Sequence, residues 1–148
     1  MGIVNEDNRG GVSKGYVVPE RRIGQGATYN AFLDGSQSLT VFFPQIPDKA
    51  GGIFSGGFAF SNTTSTPGTC DIAYANNPSA AQNDLPMPGN GTISIYAPNV
   101  PNLPDGFNAS VTATCTVDII GIGNFAADPQ VPTDRYGDSF TESNGLNQ

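Results

Sequence analysis

Histidine and tryptophan are absent from this chain of 148 residues, and cysteine occurs only twice. Without histidine the chain cannot build the Ser-His-Asp or Cys-His arrangements that activate a nucleophile, and two cysteines do not complete the ligand set of a usual zinc site. Most familiar enzyme chemistry is thereby excluded. We predict a protein that is not an enzyme and that has no catalytic residues, no bound metal and no cofactor.

Charged residues are also scarce, at 13% of the chain, and acids outnumber bases by 13 to 6. A net charge of −7 disfavours nucleic acids and anionic lipid surfaces, which bind proteins largely through lysine and arginine. No apolar run approaches the roughly 20 residues of a membrane span, and the first residues lack the features of a signal peptide. These patterns predict a protein made in the cytoplasm, with no nucleic-acid or membrane partner.

Long helices are excluded as well, because 19 glycines and 12 prolines interrupt the chain. Apolar residues instead alternate with polar ones, which is the two-residue period of half-buried strands. The longest such run, 107–120, has threonines on one face and on the other Val111, Ala113, Cys115, Val117 and Ile119. Shorter runs of the same period include Leu39, Val41 and Phe43; Phe58 and Phe60; Ile72 and Tyr74; and Ile93 and Ile95. The pattern predicts an all-β protein, either an antiparallel sandwich, a jelly roll or a small barrel.

The apolar runs are confined to a core of residues 27–125, and the two ends of the chain differ from it in composition. Residues 1–26 contain six glycines, scattered charges and at most one short strand at Tyr16-Val17-Val18, and residues 126–148 contain only sparse apolar anchors. Neither end has enough apolar side chains to offset the entropy cost of ordering its backbone, about 1–2 kcal/mol per residue. We therefore predict extended N- and C-terminal arms that take their shape from neighbouring subunits.

These arms carry the side chains that we expect to contact a partner. The N-terminal arm is mildly basic and the rest of the chain acidic, so the arm can pair with an acidic surface on another subunit. A chance asymmetry in a small count is the alternative. The candidate contacts are Arg9, Lys14, Tyr16, Arg21 and Arg22 in the N-terminal arm and Val131, Tyr136 and Phe140 in the acidic C-terminal arm.

Cys70 and Cys115 are both predicted to point into the core, where they could face each other across the sandwich. Buried free thiols are the expected state in a cytoplasmic product. The alternative is a disulfide between the two sheets that forms after the protein is released from that compartment.

Three Asn-x-Ser/Thr sequons begin at Asn62, Asn90 and Asn108. So many asparagines, serines and threonines produce about this number by chance, and the modification needs a secretory route. We predict that these asparagines are not glycosylated.

The whole profile resembles that of the small capsid decoration proteins, or cement proteins, of tailed bacteriophages. The shared features are a cytoplasmic start, no catalytic residue types, an uncharged polar surface, a β core and long tails. The resemblance implies a virion structural protein that binds the major capsid protein and stabilises the shell. It also implies self-association, with a trimer favoured, and tails that attach by strand addition. A tail or spike component among other virion subunits fits the same profile.

A glycan-binding β module, such as a receptor-recognition or adhesin domain, is the alternative function. Asparagine-rich loops and the tyrosines Tyr29, Tyr96 and Tyr136 could stack on sugars and hydrogen-bond to them. The absence of tryptophan argues against a lectin.

Overall fold

The computed structural model describes residues 2–7, 24–29, 32, 35–127 and 140–147, and these residues form an all-β protein. Two short 3₁₀ turns, Pro78–Ala80 and Ala97–Asn99, accompany the strands. The strands are β1 (Gly2–Asp7), β2 (Gly24–Tyr29), β3 (Ser38–Pro47), β4 (Phe54–Asn62), β5 (Gly68–Tyr74), β6 (Gln82–Met87), β7 (Thr92–Tyr96), β8 (Asn108–Ala127), β9 (Phe140–Asn144) and β10 (Leu146–Asn147). Strands β3 to β10 form one antiparallel sheet that curls into a half-barrel, and β1 pairs with β2. The predicted all-β antiparallel class is confirmed.

The 20-residue strand β8 is the central strand of the sheet. Between Asn108 and Ile120 it contains neither glycine nor proline and is rich in valine, isoleucine and threonine, which favour a pleated surface. Its inner face buries Val111, Ala113, Cys115, Val117 and Ile119. The intervening threonines lie on the outer face, so the predicted alternation along this strand is confirmed.

The strands on one side of β8 form two lines, and each line consists of two strands placed end to end. Strand β4 pairs with residues 119–127 and β5 with residues 111–115, so the two strands lie end to end. Strands β7 and β6 lie end to end in the same way on the outer side of β4 and β5. Both lines are interrupted at the same level, by the loops 63–67 and 88–91.

The other side of β8 is shared by β3 and β9. Strand β3 pairs with residues between 108 and 119, and β9 pairs with residues 122–126. Strand β10 then pairs with Val41 and Phe42 of β3. Thus residues 140–147, in the predicted C-terminal arm, add two strands to the sheet of their own chain. Strand β2 crosses the predicted boundary between arm and core, and the predicted strand at Tyr16-Val17-Val18 lies outside the described residues.

The core fills the inside of the curled sheet. Phe43 of β3 and Phe58 of β4 pack with their ring centroids 4.8 Å apart, and Tyr74 of β5 meets Phe107 edge to face at 6.1 Å. The connection between β7 and β8 contributes four further buried residues, Ala97, Val100, Leu103 and Phe107. Because this segment lies over the core, the half-barrel does not need a second complete sheet to bury its aromatic residues.

Strand β3 departs from the predicted alternation at Leu39. Val41 and Phe43 are buried as expected, but Leu39 is 50% exposed. The register of β3 with β8 shifts between Ser38 and Thr40, since Ser38 is opposite Ile119 whereas Thr40 is opposite Thr114. This irregularity removes Leu39 from the inner face.

Candidate functional site

Most of the predicted partner contacts lie outside the described residues: Arg9, Lys14, Tyr16, Arg21, Arg22, Val131 and Tyr136. Phe140 is the exception, because it begins β9 and is opposite Ala126 of β8. Its backbone therefore belongs to the sheet of its own chain. The contacts proposed for the remaining seven side chains stay predictions.

Cys70 and Cys115 form a disulfide, so the expectation of free thiols is wrong. The bond also differs from the predicted link between two sheets. Cys70 of β5 lies directly opposite Cys115 of β8 in one sheet, with a Cα–Cα distance of 4.0 Å. Both residues are almost fully buried on the inner face, so the disulfide supports the sheet and presents no reactive sulfur to solvent.

The outer side of the sheet around the disulfide is lined by threonines, which we call the hydroxyl face: Thr40, Thr69, Thr112, Thr114 and Thr116. The Oγ1 atoms of Thr40 and Thr114 lie 3.4 Å apart, and the Thr69 amide donates to Thr116 Oγ1 at 3.0 Å. Asp71 lies opposite Thr114, and its carboxylate accepts a hydrogen bond from the Asp84 amide at 2.9 Å. The face therefore offers ordered hydroxyl groups with an acidic margin.

A shallow groove of about 250 Å³ lies on the outer face of the other half of the sheet. We call it the Tyr96 groove, and its outward-facing lining consists of Gly57, Ala59, Ser94, Tyr96, Ile122 and Asn124. Ala59 lies between Ser94 and Ile122 in neighbouring strands, and Gly57 lies between Tyr96 and Asn124. Two small residues in the middle strand, flanked by larger ones, produce the depression.

Gly57 is required at the floor of this groove by its backbone surroundings. A Cβ atom at this position would lie 2.6 Å from the Ile95 carbonyl oxygen. The groove combines an exposed phenol ring, an amide and a hydroxyl group without a charged side chain among its lining residues. Such a set suits a neutral polar ligand that also has an apolar face.

The two interrupted strand lines are tied together by Asn62, which is 4% exposed at the end of β4. Its amide nitrogen donates to the carbonyl oxygens of Thr66 and Pro88, at 2.7 and 3.1 Å. Its side-chain oxygen accepts from both the amide and the hydroxyl of Thr64, at 2.8 and 2.9 Å. This buried amide thus satisfies backbone groups in both loops that break the strands.

Asp48, directly after β3, is a second buried polar residue. Its backbone amide donates to the Phe107 carbonyl, and its carbonyl accepts from the Gly106 amide. The residue is 2% exposed, and its carboxylate Oδ1 atom has no hydrogen-bond partner among the described residues. Burial raises the pKa of the Asp48 carboxyl; nearby Lys49 opposes this shift and Asp105 reinforces it. Lys49 itself forms an exposed ion pair with Asp105 at 2.7 Å.

No protein-family model, curated protein or solved structure matches this chain. Within the described ranges, no group of three or more histidine, cysteine, aspartate or glutamate side chains is placed to hold a metal ion. The part of the chain that the structure describes also contains no helix long and apolar enough to cross a membrane.

The sequence indicated Tyr96 as a tyrosine that could stack on a sugar, but it did not indicate the rest of the Tyr96 groove. Gly57 and Ala59 gave no signal, because their role depends on which residues lie opposite them in β7 and β8. Asn62 stood out only as a sequon. The polar run Asn62-Thr63-Thr64 directly after an apolar strand is the local pattern of an asparagine that bonds its own turn, and it could have indicated this role.

Proposed function

We propose that the protein is a non-enzymatic structural component of a virion, a decoration or cement protein that binds and stabilises a capsid shell. The hydroxyl face is the observation that carries this proposal. Threonine side chains are stiff at χ1 and have little conformational freedom to lose, so an ordered row of them supports contact with another protein at low entropic cost. The disulfide directly beneath this face holds β5 and β8 in register.

The proposed partner is the major capsid protein or another virion subunit. The acidic margin consists of Asp71 and of Asp118, which follows Thr116 by two residues on the same face of β8, and it favours a partner that presents basic side chains at the rim of the contact. The predicted self-association, with a trimer favoured, and the grip supplied by the arms belong to the same proposal. In this role the protein would be located in the virion and would use neither a nucleic-acid nor a membrane partner.

Cosedimentation with capsid shells tests the proposal. The purified chain is mixed with shells assembled from the candidate major capsid protein, and the bound fraction is measured by gel after centrifugation. Thr114→Lys places a bulky charge in the middle of the hydroxyl face and should weaken binding at least about tenfold, equivalent to 1.4 kcal/mol. Asn83→Lys, at an exposed position in β6, is the matched control and should bind as the wild type does.

Binding that is equally strong in both variants would contradict a role for the hydroxyl face. Absence of binding to any shell by the wild-type chain would contradict the decoration function itself. Circular dichroism of each variant is needed as a check that the sheet is intact.

The arms are tested by truncation. Deleting residues 1–24 should leave the disulfide-linked sheet folded while weakening attachment to the shell. Deleting residues 126–148 is a harsher change than the sequence predicts, because it removes β9 and β10, which pair with β8 and β3. We expect this second truncation to lower the free energy of unfolding as well as the affinity, and urea titration separates the two effects.

A glycan-binding module is the second candidate, and the Tyr96 groove is the observation that favours it. The ring of Tyr96 could stack on the apolar face of a sugar while Ser94 and Asn124 hydrogen-bond its hydroxyl groups. A glycan array followed by titration of any positive glycan tests this function. Tyr96→Ala should abolish binding, whereas Leu39→Ala, which removes another exposed apolar side chain, should not change it.

A further inference from the structure

The outer edge of β7 is not paired with any strand among the described residues. An open edge presents a row of backbone donors and acceptors to solvent, and proteins usually protect it with proline, charge or irregular backbone. Strand β6, which continues the same line, carries Pro86 and has Asp84 at a φ of 53°. The segment Thr92–Tyr96 has neither proline nor a charged residue. Strand β7 can therefore pair with a further strand at this edge, whereas β6 cannot.

The backbone groups that face this edge follow from the pairing on the other side. The Asn62 amide donates to the Gly91 carbonyl at 2.9 Å, which makes Asn62 and Gly91 a hydrogen-bonded pair. Because such pairs alternate along an antiparallel ladder, Ile93 and Ile95 direct their backbone groups towards β4. The amides and carbonyls of Thr92, Ser94 and Tyr96 consequently point away from the sheet.

This edge is complementary to itself. If two copies of β7 meet antiparallel with Ser94 opposite Ser94, then Thr92 of each copy lies opposite Tyr96 of the other. All six edge-facing backbone groups of each strand then find partners. Ile93 of each copy then lies opposite Ile95 of the other, and both of these residues are only partly buried in the single chain. Tyr96, which is 51% exposed, becomes partly covered.

Charge also favours a second copy at this position. Two chains that each carry a net charge of −7 repel one another, so they approach most easily through surfaces without acidic side chains. Residues 92–96 contain none. The hydroxyl face, by contrast, has Asp71 and Asp118 at its margin and is less suited to self-contact.

We infer that β7 is a self-association edge, at which two copies of the chain join their sheets through antiparallel pairing centred on Ser94. This inference rests on the proposed architectural function, since it names the partner of one edge of a shell-binding protein. A twofold contact does not by itself build the trimer that the resemblance implies. The number of copies is therefore part of the test.

Light scattering and analytical ultracentrifugation of the full chain over a concentration series give the first measurement. The wild type should form dimers, and Ser94→Lys should weaken dimerisation at least about tenfold, because two lysines would meet at the twofold axis. Asn83→Lys in β6 is the control for the added charge and should dimerise normally. A wild type that stays monomeric, or forms trimers unchanged by Ser94→Lys, overturns the inference.

Cysteine substitution tests the register independently of stability. Residues in a hydrogen-bonded antiparallel pair have Cα atoms about 5.5 Å apart, within the range of a disulfide. Ser94→Cys should therefore give a covalent dimer on a non-reducing gel after mild oxidation. Thr92→Cys should not, because the two copies of residue 92 lie at opposite ends of the paired segment. Equal crosslinking of both variants, or of neither, contradicts pairing centred on Ser94.

Shell cosedimentation separates this inference from the proposed function. If the protein dimerises through β7 but binds no shell, the self-association edge is supported and the decoration function is contradicted. If it binds shells but neither dimerises nor crosslinks, the decoration function is supported and the self-association edge is contradicted.

Discussion

The two halves of β8 have different neighbours and different sequences. Residues 108–119 are rich in β-branched and small residues and contain no glycine, and Cys115 is bonded to Cys70 of β5. In residues 120–127, Gly121 and Gly123 leave gaps in the row of inner side chains, and the facing part of β4 contains Gly56 and Gly57. We call these the stapled half and the glycine half of the sheet.

The comparison shows how one strand can support two kinds of surface. In the stapled half, side chains fill both faces, and the outer one is an ordered layer of hydroxyl groups. In the glycine half, missing side chains create space on both faces. On the inner face Gly121 receives the ring of Phe43, since a Cβ atom there would lie 2.7 Å from Phe43 Cζ. On the outer face Gly57 forms the floor of the Tyr96 groove.

Removal of the disulfide should produce the largest effect and should act on the stapled half. The two cysteines are separated by 45 residues, and a covalent loop of that size is worth about 4 kcal/mol in the chain-entropy model. We expect the double variant Cys70→Ala/Cys115→Ala to lose about this much unfolding free energy in urea titration. Reductant should destabilise the wild type similarly and leave the double variant unchanged. A loss well below 1 kcal/mol would contradict the stapling role.

Asn62→Ala should come next, because Asn62 lies where the two halves meet. The substitution removes a buried amide that is bonded on both its nitrogen and its oxygen, and it leaves the carbonyls of Thr66 and Pro88 without this donor. We expect a loss of about 2–4 kcal/mol, measured by urea titration. Asn62→Asp keeps the acceptor and loses both donors, so it should be similarly destabilised. Asn83→Ala, at an exposed position, should remain within about 0.5 kcal/mol of the wild type.

Gly121→Ala should have a smaller effect, confined to the glycine half. The added methyl group forces the Phe43 ring to move, and overpacking of this kind costs about 1–3 kcal/mol. Asn124→Ala, on the outer face of the same strand, serves as the control and should be nearly neutral. Equal stability of both variants would show that the close approach at Gly121 is not a constraint on the fold.

Asp48→Asn should have the smallest effect, and its sign depends on pH. Since the folded state raises the pKa of this carboxyl, the folded state binds its proton more tightly than the unfolded state does. The contribution of Asp48 to stability is therefore fully present below its unfolded pKa and is lost as pH rises through its folded pKa. At pH 7 the asparagine variant should be slightly more stable than the wild type, because it removes the cost of holding a buried carboxylate in its charged form. Thermal melts from pH 3 to pH 7 should show the two proteins converging at low pH.

The strands and their faces were predictable because they depend on a local period. The alternation in residues 107–120 identified the inner face of β8 correctly, since a two-residue pattern leaves few alternatives for a strand with one buried face. The same reasoning failed at Leu39, where a shift in register with β8 changes the face. Such a shift depends on the partner strand and leaves no mark in the local sequence.

Strand pairing was the part that local sequence could not supply. Both cysteines were assigned to the inner face, but whether they meet within a sheet or between sheets depends on which strands are neighbours. The Tyr96 groove was missed for the same reason, because it exists only when Gly57 lies between Tyr96 and Asn124. Strands β9 and β10 were not predicted, because residues 140–147 contain too few apolar side chains to indicate strands of the sheet.

Because Cys70 lies directly opposite Cys115, the disulfide can form only when β5 and β8 pair in the correct register. A slip of β5 by two residues along β8 would carry the sulfurs apart by about 7 Å, the length of two residues of extended chain, and no bond could close. The disulfide therefore distinguishes molecules in which β5 and β8 are in register from those in which they are not. Free-thiol labelling of freshly folded material would count the mismatched fraction directly.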